Sequence, residues 1–239
     1  MTRPARLLPL LLFAQFAGTS PWFAGNAIID DLQQAWALPP ESIGYVTAAV
    51  NLGFIFGTLI FALLTISDRY PPRRVFFVCA LACAVANLLL LFASQTLAAL
   101  LACRFATGFF LAGLYPVGMK IAASWYREDL GRVMGYLIGA LVLGTAFPHL
   151  LRALDAGLPW QVVIVGISLF AVAGGLAVLL GVNDGPWLQG VAKLDLRASR
   201  LVFASADFRA SAGGYFGHMW ELYSLWTFAP LLIIAFASE

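Results

Sequence analysis

Arg104 lies inside an apolar stretch of the sequence, where a charge requires a partner or a function. It stands about seven residues into the stretch 97–124, roughly 10 Å deep if that stretch is a membrane helix rising 1.5 Å per residue. A guanidinium at that depth is costly unless it faces a cavity or a partner. Arg104 is therefore predicted to bind an anionic substrate or to take part in proton coupling. The alternative is that it snorkels to the outer surface.

Glu221 is a second charge of this kind, about ten residues into the apolar stretch 212–236. His218 precedes it by three residues, so the two side chains share a helix face. An acid in a low-dielectric environment holds its proton more tightly than in water, which suits a proton carrier. We predict that His218 and Glu221 serve proton coupling, and the alternative is a neutral acid that is hydrogen-bonded to its neighbours.

The composition is that of a membrane protein. Of the 239 residues, 62% are apolar and 11% are charged, against about half and about a quarter in a soluble domain. The net charge of +2, without a basic stripe, gives no indication of nucleic-acid binding. Cys79, Cys83 and Cys103 lie in apolar stretches without histidine at ligand spacing, so we expect packing residues and neither a metal nor a cofactor.

Seven apolar stretches have the length of a membrane-spanning helix, which needs about 20 residues. The alternation of apolar and polar residues that marks a β-barrel is absent, so helices are predicted. The predicted fold class is an all-α integral membrane protein with seven transmembrane helices. They lie at residues 7–29, 43–67, 75–93, 97–124, 133–151, 162–182 and 212–236.

The basic residues set the orientation of these helices. Apart from Arg104 and Arg152, they lie in the N-terminus or in and beside the loops after the second, fourth and sixth spans. Loops rich in lysine and arginine stay on the cytoplasmic side of a membrane. We therefore predict a multi-pass protein with a cytoplasmic N-terminus, and with the charged turn 67–74 inside the cell.

The first six spans contain a weak repeat of three. Residues 18–21 of the first span, Gly-Thr-Ser-Pro, match residues 113–116 of the fourth, Gly-Leu-Tyr-Pro. Gly53 and Gly57 of the second span match Gly135 and Gly139 of the fifth. Repeats of three spans insert with opposite orientation, and interrupted helices at matching places point to a transporter site. The alternative is ordinary close packing of small residues.

The same features divide the chain into three parts. Residues 1–182 are predicted to form an N-terminal six-helix transmembrane bundle. Residues 183–210 mix both signs of charge after the turn signal "NDGP", and they are predicted to be a cytoplasmic linker. Residues 211–239 are then the first helix of an incomplete C-terminal bundle.

These features resemble the N-terminal half, plus one helix, of a major facilitator superfamily transporter. The turn "SDRYPPRR" lies between spans two and three, where that family carries a Gly-x-x-x-Asp-(Arg/Lys)-x-Gly-(Arg/Lys)-(Arg/Lys) signature. Leu64 and two prolines replace its glycines, and the spacing is one residue longer. Residues 104–108 resemble the Arg-x-x-x-Gly motif of span four. The glycines of span five resemble a glycine-rich helix of the family, without the Gly-Pro-x-x-Gly-Gly core of antiporters.

The resemblance implies a truncated major-facilitator-type bundle with 3+3 inverted repeats. It implies secondary active transport of a small solute, an anion or a small metabolite, by alternating access. The implied cytoplasmic latch, which holds one conformation, consists of Asp68, Arg69, Arg73 and Arg74. The expected substrate path consists of Trp22, Asn26, Asn51, Arg104 and Tyr115. Each of these could instead be a helix-packing residue, and the bases of the turn could be topology signals only.

Other classes fit the sequence less well. A retinal pigment would need a lysine in the seventh span, and Lys120 and Lys193 are the only lysines. Hydrolase motifs such as Gly-x-Ser-Gly and His-Glu-x-x-His are absent, so no enzymatic activity is predicted. The remaining alternative to transport is a non-transporting membrane fragment or a regulatory half-carrier. The expected partners are the lipid bilayer of a bacterial inner membrane, a small-molecule substrate, and a missing C-terminal half or a second copy, with no nucleic acid.

Overall fold

Helices make up the secondary structure of residues 4–154, 157–188 and 202–237, the part of the chain that the computed structural model describes. In chain order they are α1 Leu7–Thr19, α2 Ala24–Ala27, α3 Ile29–Trp36, α4 Ser42–Leu63, α5 Ile66–Arg69, α6 Pro72–Leu88, α7 Leu97–Leu111, α8 Tyr115–Ala123, α9 Leu130–Leu154, α10 Trp160–Gly181 and α11 Ala206–Ala237. A 3-10 turn, Leu89–Leu91, extends α6. The chain divides into two compact units, residues 1–192 and 193–239. Residues 189–201 of the predicted linker lie outside the described residues.

Five helical segments among the described residues are long and apolar enough to cross a membrane. They are Ser42–Leu63, Pro72–Leu91, Leu97–Ala123, Leu130–Leu154 and Trp160–Gly181, and they match the second to sixth predicted spans. The first predicted span falls on α1, α2 and α3, and the seventh falls on α11. α1 is apolar but has 13 residues. A helix of that length is about 20 Å long, so the first span needs the residues beyond the end of α1, including α2, to cross a bilayer core of about 30 Å.

Two spans are interrupted, at matching places in the predicted repeat. α1 ends at Thr19, and the turn at residues 20–23 contains Pro21, which lacks an N–H and disfavours a continuous helix. α7 ends at Leu111, residues 112–114 form the second turn, and α8 begins with a proline in its first turn. Gly113 is packed tightly on α6 there, because a Cβ would lie 2.2 Å from Cys79 Sγ. The glycine and proline signals therefore mark real breaks in both spans.

The packing of the helices follows the same repeat. One repeat consists of α1 to α3, α4 and α6, and the other of α7 with α8, α9 and α10. α1 packs against α9 and α10, and its counterpart α7 packs against α4 and α6. The third spans, α6 and α10, pack on each other, as do α1 and α8. Exchanging the two repeats leaves this set of pairs unchanged. An odd number of spans in each repeat implies that the two repeats cross the membrane in opposite directions.

Glycines allow α4 and α7 to approach each other at backbone distance. A Cβ at Gly108 of α7 would lie 1.9 Å from the carbonyl oxygen of Val50 in α4. A Cβ at Gly53 of α4 would lie 2.0 Å from the carbonyl oxygen of Phe105 in α7. Small residues at such a contact are typical of helix pairs in membranes, where close backbone approach replaces the hydrophobic effect.

The predicted glycine counterparts in α9 behave differently. A Cβ at Gly135 or Gly139 would have no described atom within 4 Å. α9 instead approaches α1 at Gly144, where a Cβ would lie 2.4 Å from the carbonyl oxygen of Phe16. The equal spacing of the two glycine pairs therefore does not reflect equal packing.

Candidate functional site

Arg104 lies in α7, and its side chain is fully buried. Its Nη1 donates a hydrogen bond to the carbonyl oxygen of Pro21, in the break of the first span, at 3.3 Å. Its Nη2 donates to Thr107 Oγ1 at 3.1 Å and to Asn87 Oδ1 of α6. The guanidinium therefore joins α7, α6 and the break after α1. Because the side chain does not reach the surface, the snorkelling alternative is wrong.

Asn87 connects this guanidinium to α10. It is fully buried, and its Nδ2 donates to Ser168 Oγ at 2.9 Å and to the carbonyl oxygen of Ile164 at 3.3 Å. The Ser168 hydroxyl donates its own hydrogen to the Ile164 carbonyl at 2.8 Å, so it accepts from Asn87. The amide oxygen of Asn87 is thereby directed towards Arg104. Buried polar networks specify a packing arrangement when their members are paired in this way.

The charge of Arg104 has no acidic partner among the described residues. The ion pairs in that part of the chain join Lys120 to Asp68 and Arg152 to Asp31. The three hydrogen-bond acceptors of Arg104 are neutral oxygens, and its buried Nε has no hydrogen-bond partner in the described chain. A buried cation without a counter-charge is costly, and it attracts an anion.

Three further residues of the predicted substrate path lie at the break, on α2 and on α4. Trp22 and Asn26 are buried, and Trp22 Nε1 donates to Asn51 Oδ1 at 3.2 Å. Asn26 Nδ2 donates to Thr47 Oγ1 at 2.7 Å, while its buried Oδ1 has no hydrogen-bond partner among the described residues. Tyr115 is half-buried in the first turn of α8. The break that supplies the carbonyl acceptor of the guanidinium thus also carries the indole of Trp22, and α2, directly after it, carries the amide of Asn26.

Asp68 forms its ion pair with a residue on another span. Lys120 Nζ of α8 binds Asp68 Oδ1, and it also donates to the carbonyl oxygen of Ser67 at 2.6 Å. The side chains of Lys120 and Asp68 are 21% and 28% exposed. The contact joins the turn before α6 to the end of span four.

The bases of the turn have other partners than Asp68. Arg69 Nε donates to Thr65 Oγ1 at 3.0 Å, within the same turn. Arg73 Nη1 donates to Asn183 Oδ1, after α10, at 3.0 Å. Arg74 is exposed. The predicted latch residues therefore make separate contacts and do not form one cluster.

His218 and Glu221 are exposed residues of α11, spaced so that they share one helix face. α11 belongs to the second compact unit, residues 193–239. The proton-coupling role of the pair remains a prediction about that unit.

Sequence reasoning missed two residues of these networks. Asn87 is a single amide in an apolar helix, which is a weak signal, and its partner Arg104 is 17 residues away. The charge pattern identifies Lys120 only as a signal of orientation. Its position inside the apolar stretch of span four, four residues before that stretch ends, was the signal that it needs a partner.

The fold of this chain is that of an α-helical carrier built from inverted repeats with interrupted helices. The family model described as the Major Facilitator Superfamily matches residues 11–238. The chain therefore belongs to the Major Facilitator Superfamily. This result confirms the family and the all-α, membrane-embedded fold class that the turn and the span pattern predicted.

Relatives in Escherichia coli carry the name of transporters. The chain is 28% identical over 192 residues to "Uncharacterized transporter YgaY" of Escherichia coli O157:H7. It matches the YgaY protein of Escherichia coli K12 with the same identity and length. Each match covers 76% of this chain and 47% of the relative, so the chain spans about half the length of these relatives.

Solved structures of a bacterial homolog of the human lysosomal transporter Spinster share the fold. The inward-facing, unoccupied form matches with a TM-score of 0.64 at 14% identity, over 83% of this chain and 47% of that chain. The inward-facing, occupied form matches with a TM-score of 0.63 at 14% identity, over 78% of this chain and 46% of that chain. At this identity the likeness shows the fold alone. The family and the apolar helices together establish a multi-pass membrane protein of a transporter family.

Proposed function

We propose that the protein carries out secondary active transport of a small solute by alternating access, and that the solute is an anion. The observation that carries this proposal is the fully buried guanidinium of Arg104, whose three acceptors are neutral oxygens. A cation so placed is costly without a counter-charge. An anion that binds beside it supplies the charge only while the substrate is in place, which suits a site that must also release it.

Access to Arg104 requires movement of the first span. The Pro21 carbonyl covers the guanidinium through the longest of its three hydrogen bonds, 3.3 Å. Asn26, in the same region, has a buried Oδ1 without a hydrogen-bond partner in the described chain. Rocking that shifts the break would expose the Nη1 hydrogens and this amide together. An anion could then take the place of the carbonyl as acceptor, with Trp22 and Asn51 beside it.

The ion pair of Asp68 with Lys120 has the properties of a latch that opens once in each cycle. Both side chains are partly exposed. Partly exposed ion pairs contribute about 1 kcal/mol or less. The pair can therefore favour one conformation without locking it. The bases Arg69, Arg73 and Arg74 support the cytoplasmic position of this turn.

His218 and Glu221 are proposed to couple transport to protons. An imidazole and a carboxylic acid on one helix face can pass a proton between them. Alternate exposure of α11 to the two sides of the membrane would load and unload this proton.

The proposed setting is a bacterial inner membrane, with the N-terminus and the Asp68 turn in the cytoplasm. The distribution of arginine and lysine supports this orientation. Carriers of this type rock two six-helix bundles around a site between them. We propose that a complementary half or a second copy of the chain supplies the other bundle.

Uptake into proteoliposomes tests the proposal. The chain is reconstituted at low and high protein-to-lipid ratio, and also after co-expression with a second six-helix half, and labelled carboxylates, phosphate and neutral sugars are offered. We expect saturable uptake of an anion only where two bundles can meet. Arg104→Ala should abolish it, whereas Thr145→Val, which deletes a buried hydroxyl of α9, should not. Saturable uptake by isolated monomers, or wild-type uptake by Arg104→Ala, would contradict the proposal.

A further inference from the structure

The segment after α10, residues 182–188, is bound to the ends of two other helices, and we call it the strap. Asn183 Oδ1 accepts a hydrogen bond from Arg73 Nη1 of α6 at 3.0 Å, and its carbonyl oxygen accepts one from Trp125 Nε1 at 2.8 Å. The guanidinium carbon of Arg127 lies 4.6 Å from the ring centroid of Trp187. These contacts place the strap at the same end of the bundle as Asp68.

Ser124, the residue after α8, is the main attachment point of the strap. The Gly185 N–H donates to Ser124 Oγ at 3.2 Å, and the Trp187 N–H donates to the Ser124 carbonyl oxygen at 3.0 Å. Ser124 is buried, and its hydroxyl donates to the carbonyl oxygen of Ile121 at 2.7 Å. The end of a helix leaves carbonyl groups without partners. The strap satisfies one such group at the end of α8.

Gly185 makes this close approach possible. A Cβ there would lie 2.2 Å from the Ser124 carbonyl oxygen and 2.4 Å from Ser124 Oγ, so a larger residue requires the strap to move. Gly131, in the first turn of α9, has no described atom within 4 Å of the corresponding Cβ. The two glycines provide a matched pair, because alanine is excluded at the first position and accommodated at the second.

Ser124 and Lys120 lie one turn apart at the end of α8, on the same face. α8 follows the break at residues 112–114, so no continuous helix fixes its position relative to α7. The position of its last turn therefore depends on the contacts made there. Besides the packing of buried Ile121 and Ala122 on neighbouring helices, those contacts are the ion pair of Lys120 with Asp68 and the hydrogen bonds of the strap to Ser124.

We propose that the strap positions Lys120 for its ion pair with Asp68. Asn183, Gly185 and Trp187 hold the end of α8, and they thereby support the latch. Lifting the strap from Ser124 frees Lys120. The inference rests on the proposed role of Asp68 as a latch, but it concerns a contact that can be measured without transport.

The reactivity of Lys120 Nζ tests this proposal. In a Lys193→Arg background Lys120 is the only lysine of the chain. The purified chain in liposomes is treated with an acetylating succinimidyl ester, and mass spectrometry of the Lys120 peptide gives the rate. In the parent, Nζ is held by Asp68 and Ser67, so its modification should be slow. Asp68→Asn gives the reference rate for a released latch, and hydrogen exchange at the amides of Gly185 and Trp187 reports release of the strap.

We expect Gly185→Ala to raise the Lys120 rate about fivefold, as expected for loss of a partly exposed ion pair. Ser124→Ala, which removes the Oγ acceptor and keeps the carbonyl, should raise it less, and Gly131→Ala should leave it at the parent value. If Gly185→Ala does not fold, the Lys120 rates of Ser124→Ala and Asn183→Ala test the proposal instead. A parent-like Lys120 rate in the folded variants, with rapid exchange in the strap, overturns the proposal. If no uptake is found but the Lys120 rates change as expected, the proposed transport function is contradicted and the proposed role of the strap is supported.

Discussion

Two replacements of Asn87 should separate its hydrogen bond to Arg104 from its bonds to α10. Asn87→Ala removes the acceptor of Arg104 Nη2 and both donations to Ser168 and Ile164. A hydrogen bond to a charged group contributes about 1.5–3 kcal/mol and a neutral one about 0.5–1.5 kcal/mol, and values within membranes lie at the low end. We therefore expect Asn87→Ala to lower the free energy of unfolding by about 2–4 kcal/mol.

Asn87→Asp should lower the free energy of unfolding less than Asn87→Ala does. The aspartate keeps an acceptor of the same size facing Arg104, and it adds the counter-charge that the guanidinium lacks. It loses both donations to α10, yet the Ser168 hydroxyl still donates to the Ile164 carbonyl. A buried carboxylate is itself costly, and its attraction to the guanidinium offsets much of that cost. The expected loss is about 1–2 kcal/mol, clearly below that of alanine.

Unfolding of the purified chain in mixed micelles with increasing SDS, followed by circular dichroism, gives these free energies. Thr145→Val is the control, because it deletes a buried hydroxyl that bonds only within its own helix, to Val142. Its expected cost is below about 1 kcal/mol. The reasoning about Arg104 is refuted if aspartate destabilises as much as alanine, or if alanine costs no more than Thr145→Val.

Three further predictions follow from the packing, the orientation and the proposed coupling. Gly108→Ala should strongly lower the SDS midpoint of unfolding, because its Cβ would lie 1.9 Å from the Val50 carbonyl oxygen. Gly135→Ala should leave the midpoint unchanged, because its Cβ would have no described atom within 4 Å, and equal midpoints of the two variants would contradict the α4–α7 contact. In intact cells, a membrane-impermeant maleimide should label Gln95→Cys and should not label Glu128→Cys, and the reverse pattern would invert the orientation. Glu221→Gln should abolish the stimulation of uptake by an inward proton gradient while uptake down a solute gradient persists, and unchanged stimulation would assign Glu221 to packing.

The spans and their interruptions were predictable because the bilayer and the backbone fix them locally. The length of an apolar stretch follows from the thickness of the membrane, and the five segments that meet this requirement lie within a few residues of the prediction. The breaks at 20–23 and 112–114 follow from glycine and proline at matching places. Arg104 stands out in the sequence because a charge in an apolar stretch is rare.

The partners of these residues were not predictable, because tertiary packing chooses them. Arg104 finds Pro21 at a separation of 83 residues, and Asp68 finds Lys120 at 52. The apolar surroundings of Lys120 indicate that it needs a partner, but they do not indicate that the partner is Asp68. The spacing of small residues likewise does not indicate which helix face meets a neighbour, so Gly135 has the spacing of a contact residue without making the contact.

The most direct test of the central claim compares an anionic solute with its neutral amide. For a carboxylate that the proteoliposomes take up, uptake of the acid and of the amide is measured in the wild type and in Arg104→Ala, with Thr145→Val as control. We predict that the wild type and the control prefer the anion, since it supplies the counter-charge of the buried guanidinium, and that Arg104→Ala loses this preference. An anion preference that persists in Arg104→Ala would contradict the account.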